Sequence, residues 1–127
     1  MADAAIVCGQ VPAGAAVLTK ATLRAAELLG LTNAALARVV GLSESQVSRM
    51  SKGEKALELG SKPAELAALL VRVYRSLDAL VGNSDAQRKA WMASFNRAFN
   101  EPPREAILKV DGLVRVVNYL DGARAVV

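Results

Sequence analysis

The sequence predicts an all-α fold, and three observations lead to this prediction. Alanine supplies 24 and leucine 17 of the 127 residues, whereas isoleucine supplies two and threonine three, so residues that favour helices outnumber these strand formers. Apolar residues recur at intervals of three and four, which is the period of an amphipathic helix. Glycines, prolines and capping residues divide the chain into seven predicted helices with short connections.

The first helix is predicted over residues 13–29, and Gly30 caps its C-terminus, where a left-handed conformation costs glycine little. Its apolar positions have helical spacing and are Leu18, Ala21, Ala25, Leu28 and Leu29. A short second helix is predicted over residues 33–40, with Thr32 as its N-cap and Gly41 at its end.

A third helix is predicted to begin after Ser43 and to end at Gly53. Gln46 follows Ser43 by three residues, a spacing typical of a capping box, in which each side chain binds the backbone N–H of the other residue. The polar and mixed residues 54–62 then form a connector.

A long fourth helix is predicted from Pro63 to about Val81, because proline suits a first helical turn and apolar residues form a continuous stripe. The stripe consists of Leu66, Leu69, Leu70, Val73, Leu77, Leu80 and Val81. Residues 82–83, glycine and asparagine, end this helix.

Ser84 and Gln87 are spaced as a second capping box and predict a fifth helix. We expect this helix to carry most of the aromatic residues on one side, and the side consists of Trp91, Met92, Phe95, Ala98 and Phe99. Residues 100–103 break it, and a short sixth helix is predicted over residues 103–108.

The last helix is predicted to follow a turn at Asp111 and Gly112 and to end at Gly122, before a short tail over residues 123–127. Its apolar residues lie at positions i, i+3, i+4 and i+7, and this spacing favours a helix over a strand. They are Leu113, Val116, Val117 and Leu120.

Three segments follow from these elements: a flexible arm over residues 1–12, an N-terminal helical unit over residues 13–60 and a C-terminal helical unit over residues 61–127. The arm contains Cys8, the only cysteine, which we expect to be a small apolar filler in a reducing cytoplasm. No stretch has the length and apolarity of a transmembrane helix, and the arm lacks the basic start of a signal peptide.

Composition argues against catalysis and against a cofactor. The chain has no histidine, which excludes a histidine-based catalytic triad and a histidine-ligated metal site. It has no phosphate-binding loop or dinucleotide fingerprint, and the pair Glu54 and Glu58 lies in or beside a connector, where we expect both to be solvated. A net charge of +4, spread over both halves, is by itself a weak indication of nucleic-acid binding.

Residues 33–52, NAALARVVGLSESQVSRMSK, have the pattern of a helix-turn-helix motif. Its two helices cross at a steep angle, so the fifth position must be small, and it is Ala37. The ninth position must turn sharply, and it is Gly41. The apolar positions expected to face inward are Leu36, Val40, Leu42, Val47 and Met50.

The second helix of such a motif lies in the major groove and presents its N-terminal residues to base edges. Arg49 suits a bidentate contact with guanine, and Glu44 either accepts from a cytosine amine or stabilises the helix N-terminus through the helix dipole. Gln46 is assigned partly to capping the helix and partly to contacting a base. Lys52 and Lys55 either contact phosphate or are solvated. The predicted DNA contacts are Thr32, Asn33, Ser43, Glu44, Ser45, Gln46, Ser48, Arg49, Lys52 and Lys55.

A single motif of this size makes few contacts, and specific sites are usually bound by dimers. The sequence must therefore supply a dimer interface, for which the long fourth helix and the aromatic helix offer apolar surface. The residues predicted for this interface are Leu69, Leu70, Val73, Leu77, Trp91 and Phe95.

The N-terminal half resembles the Xre family of helix-turn-helix regulators, and the C-terminal half looks like the C-terminal domain of Xre/MbcA/ParS-type antitoxins. The first resemblance rests on Ala37, Gly41, Leu42, Ser45, Val47, Ser48 and Arg49, with the stop at Gly53. The second rests on Trp91, residues 95–100, the Pro102-Pro103 break, residues 106–108, Gly112, Val116, Leu120 and Gly122. Together they cover roughly residues 17–124.

The resemblance implies an antitoxin of a bacterial type II toxin–antitoxin system, whose partner is a RES-domain toxin that consumes NAD. Such an antitoxin occludes the active site of the toxin, forms a homodimer through its C-terminal domain and represses its own operon by binding operator DNA. Its C-terminal end lies near the NAD pocket of the toxin, which implies toxin contacts at Asp121, Gly122, Arg124, Val126 and Val127. Arg124, expected on a flexible tail, is hypothesised to enter that pocket, and an ordinary frayed tail is the alternative.

Two other functions fit the same residues. A stand-alone dimeric repressor shares the DNA-binding residues and has no toxin partner. A protein that only neutralises a partner has a vestigial helix-turn-helix, and its binding to DNA is not steeply weakened by salt.

Overall fold

The computed structural model describes residues 11–126, with side-chain surroundings described as far as Arg124. The all-α prediction is confirmed, since the described residues form seven helices and no strand beyond an isolated bridge between Asn96 and Glu101. The helices are α1 (Ala13–Leu29), α2 (Asn33–Val40), α3 (Glu44–Ser51), α4 (Lys62–Leu80), α5 (Asp85–Ala93), α6 (Pro103–Ala106) and α7 (Val110–Val126). Cys8 and Val127 lie outside the described residues.

The ends of α2 and α3 form as their capping residues predict. The Thr32 hydroxyl accepts a hydrogen bond from the backbone N–H of Ala35 at 3.1 Å. At α3, Ser43 Oγ accepts from the backbone N–H of Gln46 at 3.1 Å, and Gln46 Oε1 accepts from the backbone N–H of Ser43 at 2.9 Å. This reciprocal pair completes the predicted capping box. Between the two helices Gly41 has φ of 76°, a left-handed conformation that favours glycine.

The next two helices also start at serine caps. Ser61 Oγ accepts from the backbone N–H of Ala64 at 3.3 Å, and Pro63 lies in the first turn of α4. The capping box predicted at α5 forms only in half. Ser84 Oγ accepts from the backbone N–H of Gln87 at 3.2 Å, but among the described residues the Gln87 side chain returns no hydrogen bond.

The prediction that one helix carries all the aromatic residues from 91 to 99 is wrong, because α5 ends at Ala93. Ser94 is extended, and Asn96 Oδ1 accepts from the backbone N–H of Ala98 at 2.9 Å, so a local turn replaces the helix. Phe95, Ala98 and Phe99 therefore lie on the loop before α6. Phe99 still packs in the core, whereas Phe95 is exposed.

Two predicted breaks near the C-terminus are also wrong. Asp111 and Gly112 lie inside α7 rather than in a turn, and Gly122 lies within the same helix, which continues to Val126. Gly112 is buried against the backbone of Ala106, so its lack of a side chain permits a close approach between α6 and α7.

Helix α4 lies at the centre of the described fold, because it packs against α1, α2 and α7. One hydrophobic cluster extends from the buried residues of α2 and α3 through α4 to α7. Its large side chains with under 2% exposure include Leu36, Val40, Val47, Leu70, Leu77, Met92, Ile107, Leu113 and Leu120. No helix of the described range has both the length and the apolarity that crossing a membrane requires.

Candidate nucleic-acid interface and partner surface

The helix-turn-helix pattern is realised by α2 and α3, which pack directly against each other. The apolar positions predicted for the buried face have 0–2% exposure, except Leu42, which is partly buried against the same core. Ala37, the small residue predicted at the crossing, is 5% exposed. Because Val47 and Met50 fix the inner face of α3, its opposite face is presented to solvent.

The outer face of α3 forms a shallow, open depression that brings together five of the ten predicted DNA contacts. It is lined by Glu44, Ser45, Ser48, Arg49 and Lys52. All of these except the half-buried Ser48 are exposed, and the set carries two positive charges and one negative charge. The lining suits the major groove, because arginine and serine are residues that hydrogen-bond base edges there.

Capping occupies three of the other predicted contacts. Gln46 Oε1 accepts from the backbone N–H of Ser43, which holds the side-chain amide at the terminus of α3. Bidentate recognition of adenine needs both the amide oxygen and the amide nitrogen, so Gln46 is not available as such a reader. Thr32 and Ser43 likewise use their hydroxyl oxygens as caps.

The two remaining predicted contacts lie outside the depression. Asn33 lines a separate cavity between α1, α2 and the end of α3, together with Leu31 and Ser51. Lys55 is half-buried on the connector that follows α3.

The connector is held by a buried hydroxyl that the sequence analysis missed. Thr19 Oγ1 donates to the carbonyl oxygen of Ala15 at 2.7 Å and accepts from the backbone N–H of Leu57 at 2.9 Å. Thr19 is 6% exposed and Leu57 is 3% exposed. This bond spans 38 residues, so no local sequence signal marks it, and it fixes the segment beyond the recognition helix to α1.

The predicted toxin contacts near the C-terminus lie on a helix that side-chain bonds tie to α4. Asp121 forms an ion pair with Arg72 and accepts a hydrogen bond from Ser76 Oγ at 3.2 Å. Arg124 donates from Nη1 to the same Ser76 oxygen at 3.0 Å. The expectation that Arg124 stands on a flexible tail is therefore wrong. Gly122 is exposed between these two residues.

The side chain of Val126 and the whole of Val127 lie outside the described part of the chain, so these two predicted toxin contacts have no described surroundings. Arg72 and Ser76 were not predicted, because the bonds they make join positions 45–49 residues apart.

The predicted dimer interface needs correction. Leu70, Val73 and Leu77 have 0–1% exposure within one protomer, since they pack in its core, and they are not available to a second copy. Leu69 and Trp91 are half-buried, and Phe95 keeps 62% of its surface exposed. The apolar stripe of α4 is thus mostly a core stripe.

Trp91, Phe99 and Tyr119 form an aromatic cluster. The ring centroids of Trp91 and Tyr119 are 6.3 Å apart, and those of Phe99 and Tyr119 are 5.3 Å apart at an interplanar angle of 72°. Tyr119, which was not predicted, is 44% exposed. Within the described residues no three Asp, Glu, Cys or His side chains are grouped as metal ligands.

Comparison with known protein families identifies two domains in the chain. The family model of the antitoxin Xre-like helix-turn-helix domain matches residues 11–97. The family model of the antitoxin Xre/MbcA/ParS C-terminal toxin-binding domain matches residues 76–125. The search of curated proteins found no match to the chain.

Proposed function

Because the chain belongs to the Xre-like helix-turn-helix antitoxin family and carries an Xre/MbcA/ParS toxin-binding domain, we propose that it neutralises a RES-domain toxin and represses its own operon. The two domains imply a toxin protein as one partner and DNA as the other. The RES class of the toxin, its consumption of NAD, the occlusion of its active site, homodimerisation and a cytoplasmic location are parts of the proposal. In it, residues 13–60 bind DNA and residues 61–127 bind toxin and a second copy.

The observation that carries the DNA-binding half is the exposed depression on α3. Arg49 lies in it with no ion-pair partner among the described residues, so its guanidinium is free to form a bidentate pair with guanine O6 and N7. Lys52 lies one turn further along and supplies a contact with phosphate.

Operator binding tests this half. Arg49→Ala should cost about 1–3 kcal/mol of specific binding and relax the preference at one base position. Arg104→Ala is the matched control, because it removes the same charge from an exposed site on α6. Binding to the promoter of its own operon should be measured by fluorescence anisotropy over a salt series. If Arg49→Ala binds the operator with the full sequence preference of the unmodified chain, the placement of the recognition helix is wrong.

The toxin-binding half is supported by the surface formed by Asp121, Gly122 and Arg124. One N–H group of Arg124 is used on Ser76, and the other guanidinium donors remain available to hydrogen-bond acceptors on the toxin. The contact with Ser76 holds the side chain in place before binding, which reduces the entropy lost on association.

Toxin inhibition tests this surface. The purified toxin should be titrated with the chain while its NAD consumption is followed. Arg124→Ala should weaken inhibition, whereas Arg115→Ala, an exposed arginine on the same helix, should leave it unchanged. If both variants inhibit the toxin as well as the unmodified chain does, Arg124 makes no contact that inhibition requires.

Identification of the partner tests the proposal as a whole. A tagged chain purified from its native cells should carry a stoichiometric protein with a RES-type domain, identified by mass spectrometry. Recovery of a homodimer with DNA and no second protein contradicts the antitoxin function and favours a stand-alone repressor.

A further inference from the structure

We infer that Glu44 selects a cytosine in the operator half-site, at a base pair separate from the guanine contacted by Arg49. The inference rests on the proposed DNA binding and assigns a base to the same depression. It is carried by the position of Glu44, by its lack of side-chain partners among the described residues and by the acceptor-only chemistry of a carboxylate.

Glu44 differs from those acidic residues that pair with a cation three or four residues away along their own helix, as in the pair Arg24–Glu27 at 3.1 Å and the pair Arg115–Asp111 at 3.3 Å. At these offsets Glu44 has Val47 and Ser48, and its carboxylate makes no ion pair or side-chain hydrogen bond with the described residues. The carboxylate is exposed at the edge of the depression that contains Arg49.

Glu44 is not needed to cap α3. Ser43 and Gln46 already form the reciprocal capping box, and the backbone N–H of Val47 donates to the Ser43 carbonyl oxygen at 3.1 Å. The N–H groups of Ser43, Gln46 and Val47 are therefore satisfied without the side chain of Glu44, and its carboxylate is left free on the face that would meet DNA.

A carboxylate on this face discriminates strongly among bases. It only accepts hydrogen bonds, so it is repelled by guanine, which presents O6 and N7, and by thymine, which presents O4. Adenine offers an amine beside the acceptor N7, whereas cytosine offers its amine without an adjacent acceptor. Phosphate repels the carboxylate as well, so cytosine is the favourable contact.

The spacing along α3 places the two readers on different base pairs. Five residues separate Glu44 from Arg49, which corresponds to a rise of about 7.5 Å along a helix. Successive base pairs are about 3.4 Å apart, so this separation favours contacts with two different base pairs. The half-site should therefore contain one cytosine and one guanine at distinct positions.

Selection from a random duplex library, with the full-length chain, tests the inference. In Glu44→Gln the preference for cytosine at one position should fall about tenfold, whereas the preference for guanine at the other position should remain. Glu54→Gln is the control, since it removes the same charge from an exposed turn beyond α3. Both variants should bind unrelated DNA more tightly through the added net positive charge, but only Glu44→Gln should change the selected sequence.

Two outcomes separate this inference from the proposed function. If Glu44→Gln selects the same sequence as the unmodified chain, Glu44 serves only the helix terminus and the inference is wrong while DNA binding stands. If the unmodified chain selects no sequence at all, the proposed operator binding fails and the inference fails with it. Circular dichroism of each variant verifies that the helices are intact.

Discussion

Replacement of Gly112 by alanine should destabilise the protein, although alanine is the better helix former. A Cβ atom built on Gly112 lies 2.8 Å from the carbonyl carbon of Ala106 and 3.2 Å from its Cα, and closer still to its carbonyl oxygen. These are backbone atoms, and the same oxygen accepts from the backbone N–H of Lys109 at 3.3 Å. No side-chain rotation relieves the contact, so α6 and α7 must move apart.

The magnitude follows from two opposed effects. In a helix interior, alanine is more favourable than glycine by roughly 0.5–1 kcal/mol. Overpacking of a well-packed core costs typically 1–3 kcal/mol, and an obstacle made of backbone places Gly112→Ala at the upper end. The net loss in the free energy of unfolding should therefore be about 2 kcal/mol. For a chain of this length that corresponds to a melting temperature roughly 8 °C lower.

Gly122 provides the matched control, because it lies in the same helix and, apart from that helix's own nearby backbone, no described heavy atom lies within 4 Å of a Cβ placed on it. Gly122→Ala should raise the free energy of unfolding by roughly 0.5–1 kcal/mol. Urea unfolding followed by circular dichroism at 222 nm measures both variants. If Gly112→Ala is as stable as the unmodified chain or more stable, the close approach of α6 and α7 is refuted.

Two further predictions concern a buried hydroxyl and an exposed ring. Thr19→Val should cost about 1–3 kcal/mol in urea unfolding, because the buried N–H of Leu57 loses its acceptor. Thr22→Val should cost less, since that hydroxyl bonds only within α1. Phe95→Ala should convert a proposed dimer to monomer in light scattering without unfolding it, whereas Val17→Ala, on exposed α1 surface, should not. A persistent Phe95→Ala dimer places the interface elsewhere.

The first four helices were predictable because their ends are set by local chemistry. Gly41, Ser43 and Gln46 act within a few residues of one another, so their effect can be read from neighbouring positions. The helix-turn-helix pattern adds constraints on size and polarity at fixed spacing, and the outer face of α3 follows from them. For the same reason the sequence identified the residues that line the depression.

The C-terminal third was harder to predict because distant contacts override local preference there. Gly112 and Gly122 have low helix propensity, and a local reading treats both as breaks. In the structure Gly112 fits against Ala106, and bonds from Arg72 and Ser76 hold Asp121 in the last turns of α7. Such contacts join segments that periodicity cannot relate to each other.

The stripe on α4 shows a related limit, since periodicity reveals which side chains avoid water but not what covers them. Leu70 and Leu77 belong to the same core cluster as Val47 of α3 and Leu120 of α7. A change that unfolds α4 should therefore abolish DNA binding and toxin binding together. Loss of one activity alone, as expected for the exposed Arg49, reports a lost contact rather than a lost fold.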